Sequence, residues 1–305
     1  MIENIEKFKG VFVAFYACYD DEGNVSVEKI KKLANWYVEK GVNGLYLTGS
    51  SGEGMMLTKE ERMLTVSAVM EAVGGKTTVI AHVGATSTKE SCELAAQAAK
   101  VGVDAISSVP NIYYPLPENC IEEYWDAMIE AAKIPFFIYN IPSTTGYNIS
   151  MSLFEKMIKK PYVAGIKTTS PNSALISRMK RSGGEKTLIF NGEDAQLLAG
   201  LSMGATGGIG GTYGAMPKLY VELYRCVKAG EMAKALEIQN DCCRIIYKLC
   251  SGHGNMYGMI KESLRRMGCP DCGSVRAPLA ELVESDSPIV DECVAMIQTA
   301  LAKYC

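Results

Sequence analysis

Short, wholly apolar runs alternate with amphipathic stretches along most of this 305-residue chain. Gly10-Val-Phe-Val-Ala-Phe15 is apolar throughout, which predicts a strand buried on both faces. From about Ser26 the residues Ile30, Leu33, Ala34, Tyr37 and Val38 recur at helical spacing, and Gly41-Val-Asn-Gly44 ends that helix. Leu45 to Thr48 predicts a second strand. It is followed by the glycine-flanked turn Gly49-Ser50-Ser51-Gly52-Glu53 and by Thr58-Lys-Glu-Glu61, which has the form of a capping box. The same order returns with strands at Thr78 to Val83, Ile106 to Val109, Pro135 to Tyr139, Val163 to Lys167, Thr187 to Asn191 and Gly208 to Gly211. Helical patterns lie between them, with Ser87 and Ser150 at expected N-caps and Pro217 to Ala229 closing the series.

Eight strand-helix alternations with strands apolar on both faces predict a (β/α)8 TIM barrel over 1–229. A doubly wound open sheet is weaker, because no G-x-G-x-x-G follows the first strand. The remaining 230–305 carries helical patterns at Glu231 to Cys250, Met256 to Met267 and Asp286 to Lys303, a C-terminal three-helix appendage packed on the barrel as one structural unit.

Composition narrows the partners. A net charge of -3 offers no basic patch for nucleic acid, so a small uncharged or anionic metabolite is expected. The first residues, Met1 to Lys9, lack the apolar core of a secretory signal, and no apolar run approaches a membrane span, which reads as a soluble cytoplasmic protein. The 11 cysteines contain only one C-x-x-C, Cys269-Pro-Asp-Cys272, where a structural zinc site needs two well-spaced pairs, so no metal is expected. The odd count fits reduced thiols acting as small hydrophobes.

Chemistry in such a barrel is carried by the C-terminal ends of the strands. Those ends carry Ser50 and Ser51, Tyr113 and Tyr114, Tyr139-Asn140, Lys167-Thr168-Thr169-Ser170, Asn191-Gly192-Glu193-Asp194 and Gly211-Thr212. Lys167 ends an apolar strand: it lies either just past the strand in water, or inside, where burial disfavours the ammonium and favours a nucleophilic amine. Such an amine can condense with a carbonyl to an imine, whose protonated form accepts electrons when the neighbouring carbon-carbon bond breaks. Tyr139 is placed to move the proton, given hydroxyl partners. Ser50 and Ser51, just before a helix, can hold the carboxylate of a 2-keto acid with hydroxyls and N–H groups.

On G-S-S-G-E at Gly49 to Glu53, Y-N-I-P at Tyr139 to Pro142, G-I-K-T-T-S at Gly165 to Ser170 and G-G-I-G-G-T-Y at Gly207 to Tyr213, the chain resembles the pyruvate-dependent class I aldolases, the family that holds N-acetylneuraminate lyase and dihydrodipicolinate synthase. The resemblance runs from Gly10 to about Cys272. It implies an imine-forming lysine at Lys167 with no added cofactor, a proton-relay tyrosine at Tyr139 and carboxylate-binding hydroxyls at Ser50 and Ser51. It also implies a homotetramer in which Tyr113 reaches into the neighbouring subunit's site. The synthase pattern has an arginine where this chain has Thr144, which disfavours that reaction and favours cleavage of N-acetylneuraminate to N-acetylmannosamine and pyruvate. Two departures cut the other way: Ala195 stands where lyases usually carry a glutamate for the sugar tail, and Gly211 replaces their strand-eight serine. The tail is then expected to meet Thr169, Gly192, Glu193 and Asp194. The synthase reaction, another 2-keto-acid aldolase and a non-catalytic 2-keto-acid sensor are the alternatives.

Overall fold

Eight parallel strands close on themselves in chain order, each hydrogen-bonded to the next and the eighth to the first. In this computed structural model, which describes residues 4–305, they are β1 (Gly10–Ala14), β2 (Gly44–Leu47), β3 (Thr78–His82), β4 (Ala105–Ser108), β5 (Phe136–Asn140), β6 (Val163–Thr168), β7 (Leu188–Asn191) and β8 (Gly207–Gly210). The intervening helices are α1 (Val27–Glu39), α2 (Lys59–Val73), α3 (Thr88–Lys100), α4 (Glu118–Ala132), α5 (Pro142–Thr145), α6 (Met151–Met157), α7 (Ala174–Gly183), α8 (Leu197–Ser202) and α9 (Pro217–Ala229). Three more follow: α10 (Met232–Leu249), α11 (Met256–Arg266) and α12 (Ser287–Tyr304). Residues 1–3, the start of the expected barrel span and of the leader reading, lie outside the described residues.

The caps sit where the sequence puts them. Ser26, Thr58, Ser87 and Ser150 each accept a hydrogen bond from the backbone N–H three residues on, and Glu61 completes the capping box by accepting from the Thr58 N–H. Each such cap stabilises its helix by about 1 kcal/mol.

Burial on both strand faces divides the apolar residues into two layers. Phe12, Ile80, Phe137, Leu188, Phe190 and Ile209 fill the barrel interior, while Val13, Leu45, Val79, Phe136, Ile138 and Ile189 face the helices. The floor of the interior is closed by a single 3-10 turn, Ile5–Phe8, whose Phe8 ring lies 5.3 Å from that of Phe137. The outer layer continues without a break into the last helices through Ile238, Ile245, Met259, Leu264, Val290 and Ile297. Among the described residues, no helix is long and apolar enough to cross a membrane.

One irregularity in the sheet decides where the chemistry can be. Between β5 and β6 the register runs Phe136 to Val163 and then Phe137 to Gly165, so Ala164 is an extra residue, a bulge. Because side chains alternate along a strand, one inserted residue inverts everything after it. Without the bulge Tyr139 would pair with Ile166 and Lys167 would point to the helices. With it, Tyr139 pairs with Lys167, and both face the interior. Glycine is required beside the bulge: a Cβ on Gly165 would lie 1.7 Å from the Leu188 carbonyl oxygen.

Candidate active site

Lys167 is 4% exposed, and its Nζ lies 4.0 Å from the centre of the Tyr139 ring and 4.6 Å from that of Tyr46. An ammonium between two ring faces gains electrostatic attraction that offsets part of its desolvation. Tyr46 is itself fixed by a 3.0 Å hydrogen bond from its hydroxyl to Ser107 Oγ. His82 closes the floor of this group, its ring 6.1 Å from that of Tyr139. Burial, then the neighbouring Arg62 guanidinium and then Lys167 hold the His82 pKa well below its ordinary value, so the imidazole is neutral. It accepts from the Val109 N–H at Nε2, while Arg62 donates to the carbonyls of His82 and Gly84.

Above the lysine is a cavity of about 270 Å³ at the C-terminal ends of the strands. It is lined by Ser50, Ser51, Tyr139, Lys167, Thr169, Gly192, Glu193, Asp194 and Gly211, which is every expected site residue except Tyr113. Larger clefts exist on the surface, such as one of about 310 Å³ beside Trp36, Met216 and Leu301, but that one shares no lining residue with the cavity above Lys167. Tyr113 is 88% exposed, with a left-handed backbone (φ 81°) and its ring edge-on to Tyr114, away from this cavity.

The walls are polar on two sides. The turn after β2 is closed by hydrogen bonds from the Glu53 N–H to Ser50 O and from the Gly54 N–H to Gly49 O, which do not use the N–H groups of Ser50 and Ser51. Opposite stand Thr169, whose buried hydroxyl has no partner among the described residues, and the β7 loop. Gly192 and Gly211 are glycines for space: a Cβ would lie 2.2 Å from Thr169 Oγ1 at the first and 2.7 Å from Ser51 Oγ at the second. Asp194 Oδ2 accepts 2.6 Å hydrogen bonds from both the N–H and the hydroxyl of Thr212. Burial pushes its pKa up to about 6, with the Thr212 hydrogen bonds and the Lys167 charge opposing. Burial raises Glu193 as well.

Two expectations are refined. The Tyr139 hydroxyl has no hydroxyl partner among the described residues; packing against Tyr46 and His82 holds the ring. Asp194 is committed to Thr212, which limits what its carboxylate can offer a ligand. Sequence reasoning missed Tyr46, whose inward position follows from its place in the alternating run Leu45-Tyr-Leu47. It also missed Tyr257, Met256, Cys250 and Ile246, which line the cavity from the C-terminal helices and which no local pattern marks.

Residues 7–297 match the family model described as the dihydrodipicolinate synthetase family. N-acetylneuraminate lyase of Mediterraneibacter gnavus is 47% identical over 304 residues, 99% of this chain and 96% of that protein. N-acetylneuraminate lyase 2 of Escherichia coli is 35% identical over 94% of this chain and 93% of its own length. The solved catalytic lysine mutant of Ruminococcus gnavus sialic acid aldolase superposes with a TM-score of 0.98 at 47% identity, covering 99% of both chains.

Proposed function

The chain belongs to the dihydrodipicolinate synthetase family, and on that footing we propose that it is a Schiff-base aldolase that cleaves N-acetylneuraminate to N-acetylmannosamine and pyruvate. The observation that carries this reading is Lys167, a buried amine at a strand end, under a cavity walled by hydroxyls. The chemistry needs no added cofactor. The Lys167 amine attacks the keto carbon of the open-chain sugar acid; with one proton taken up from solvent the keto oxygen leaves as water, giving an iminium. Tyr139 relays away the proton of the hydroxyl on the carbon two along from the iminium carbon; the bond from that carbon to the one next to the iminium breaks, and its electron pair flows into the iminium to leave an enamine and an aldehyde. Protonation and hydrolysis of the enamine release pyruvate and the free lysine.

Ser50 and Ser51 hold the substrate carboxylate, with Gly211 keeping the Ser51 hydroxyl accessible. Thr169, Gly192, Glu193 and Asp194 meet the hydroxylated tail. Ala195 offers the tail only backbone, and its carbonyl is already taken by the Cys243 thiol, so the loss of one hydrogen bond there raises KM at a cost of about 1 kcal/mol. Thr144 supplies no cation for a second carboxylate, which speaks against condensation with aspartate semialdehyde. Tyr113 serves a neighbouring subunit in a homotetramer.

The test pairs chemistry with substrate. Borohydride reduction in the presence of pyruvate should place a stable adduct on the peptide carrying Lys167, and the enzyme should release pyruvate from N-acetylneuraminate. An adduct on a different lysine overturns the mechanism. Condensation of pyruvate with aspartate semialdehyde at a kcat/KM tenfold above that of cleavage overturns the substrate.

A further inference from the structure

The serine turn is held from below by a buried ion pair that the mechanism does not use. Glu53 and Lys261 have side chains 0% and 1% exposed, and Lys261 Nζ donates to Glu53 Oε1 at 2.8 Å. Lys261 also donates to the Ser274 carbonyl at 2.7 Å. The other carboxylate oxygen of Glu53 accepts from the Tyr19 hydroxyl at 3.1 Å and from the Arg276 N–H at 2.8 Å. Four segments therefore meet on one side chain: the β2 turn, the loop after β1, α11 and the loop that follows α11.

A buried ion pair is a poor way to add stability, because desolvation consumes most of what attraction returns and apolar side chains of like volume do as well. Its value lies in direction. Glu53 occupies the left-handed region (φ 51°), which a non-glycine residue adopts only under outside constraint. On either side of it the turn is pressed on backbone: a Cβ at Gly52 would lie 2.9 Å from Phe15 O, and one at Gly54 would lie 1.9 Å from Thr48 O. The same helix reaches the turn a second time. Tyr257, one helical turn before Lys261, lines the cavity and stands with Ser51 around Gly211, whose added Cβ would lie 2.7 Å from Ser51 Oγ and 3.6 Å from a Tyr257 ring carbon.

We infer that Glu53 and Lys261 are positioning residues that fix the Ser50–Ser51 turn in its carboxylate-binding geometry, making α11 a working part of the site. The inference rests on the carboxylate role given above to Ser50 and Ser51.

The experiment measures half-saturation by pyruvate in borohydride trapping, together with Tm, for Glu53→Gln, Lys261→Met, the double variant, Tyr19→Phe and Ser51→Ala. Each single charge deletion strands a buried partner and lowers Tm, whereas the double variant recovers much of it. Positioning predicts that half-saturation in the double variant stays raised at least tenfold while Tm recovers. Recovery of half-saturation to within twofold of the parent enzyme overturns the inference and leaves the pair a purely structural one. Should the double variant fail to fold, Tyr19→Phe, which removes one hydroxyl contact and keeps the ring, decides: a rise of about threefold at unchanged Tm supports the inference, and no rise overturns it. An unchanged Ser51→Ala would instead refute the carboxylate role of the turn.

Discussion

Asp194 is the residue at which the site's electrostatics can be tested without touching the imine. Its carboxyl is held protonated up to about pH 6 by burial, whereas in the unfolded chain it ionises near 3.8. The folded protein thus binds the extra proton between these values, so stability falls as pH rises through that window and is flat above it. Asp194→Asn keeps an oxygen to accept from Thr212 and carries no charge. The variant should therefore gain on the parent from about pH 4 to 6, by at most about 3 kcal/mol and nearer 1 because the carboxylate opens on the cavity. Urea unfolding at several pH values reads the difference, and a parent that gains on the variant over this range would contradict the shift. Tyr139 is the complementary case. Its ring packs on Lys167, so Tyr139→Phe keeps the packing and removes only the hydroxyl proposed to carry the proton. Imine trapping should persist while kcat for cleavage falls roughly 10²-fold. A raised KM with unchanged kcat would make Tyr139 a binding group instead.

At the scale of elements, β6 carries the site because it carries the bulge. Gly165→Ala drives a methyl into the Leu188 carbonyl and must part β6 from β7 or undo the bulge. The expected cost is roughly 1–3 kcal/mol of stability. In the molecules that remain folded, imine formation should slow at least tenfold, because Lys167 loses its place between Tyr46 and Tyr139. Circular dichroism at the assay temperature with borohydride trapping separates the two effects; trapping at the parent rate in a destabilised but folded variant would show that the bulge does not aim the lysine. This is also where reading the sequence reached its limit. The strands, the helices and the caps were legible because each is written in local periodicity or in one hydroxyl before a helix, and the strand ends then named most of the cavity wall. The bulge was not legible, because an extra residue in Val163-Ala-Gly-Ile166 leaves an unbroken apolar run in either register. Lys167 was picked out by its neighbours rather than by the direction of its side chain. The floor turn Ile5–Phe8 and the cavity-facing Tyr257 were missed for a related reason: both act only across long sequence separations, on Phe137 and beside Ser51.

For the molecule as a whole, the cavity of one chain lacks one expected member, Tyr113. Tyr113 sits on the loop after β4 with its ring almost wholly in solvent, paired edge-on with Tyr114 and held at a φ of 81°. Two adjacent exposed tyrosines are what protein interfaces use as anchors, since a large ring buries much area for little side-chain entropy. If Tyr113 completes the site of a neighbouring subunit, damage to it and damage to Lys167 belong to different chains of one site. Tyr113→Ala and Lys167→Ala homo-oligomers should each be severely impaired. Mixed by denaturation and refolding together, they should regain activity, because a hybrid contains sites whose lysine comes from the first variant and whose tyrosine comes from the second. With random pairing across a two-chain interface, about half of the pairs are hybrid, and each has one intact site of two. Activity near a quarter of the parent's is then the expected ceiling. Activity no higher than the sum of the two variants alone would place Tyr113 outside its neighbour's site, and a fully active monomer by light scattering at assay concentration would remove the need for a neighbour at all.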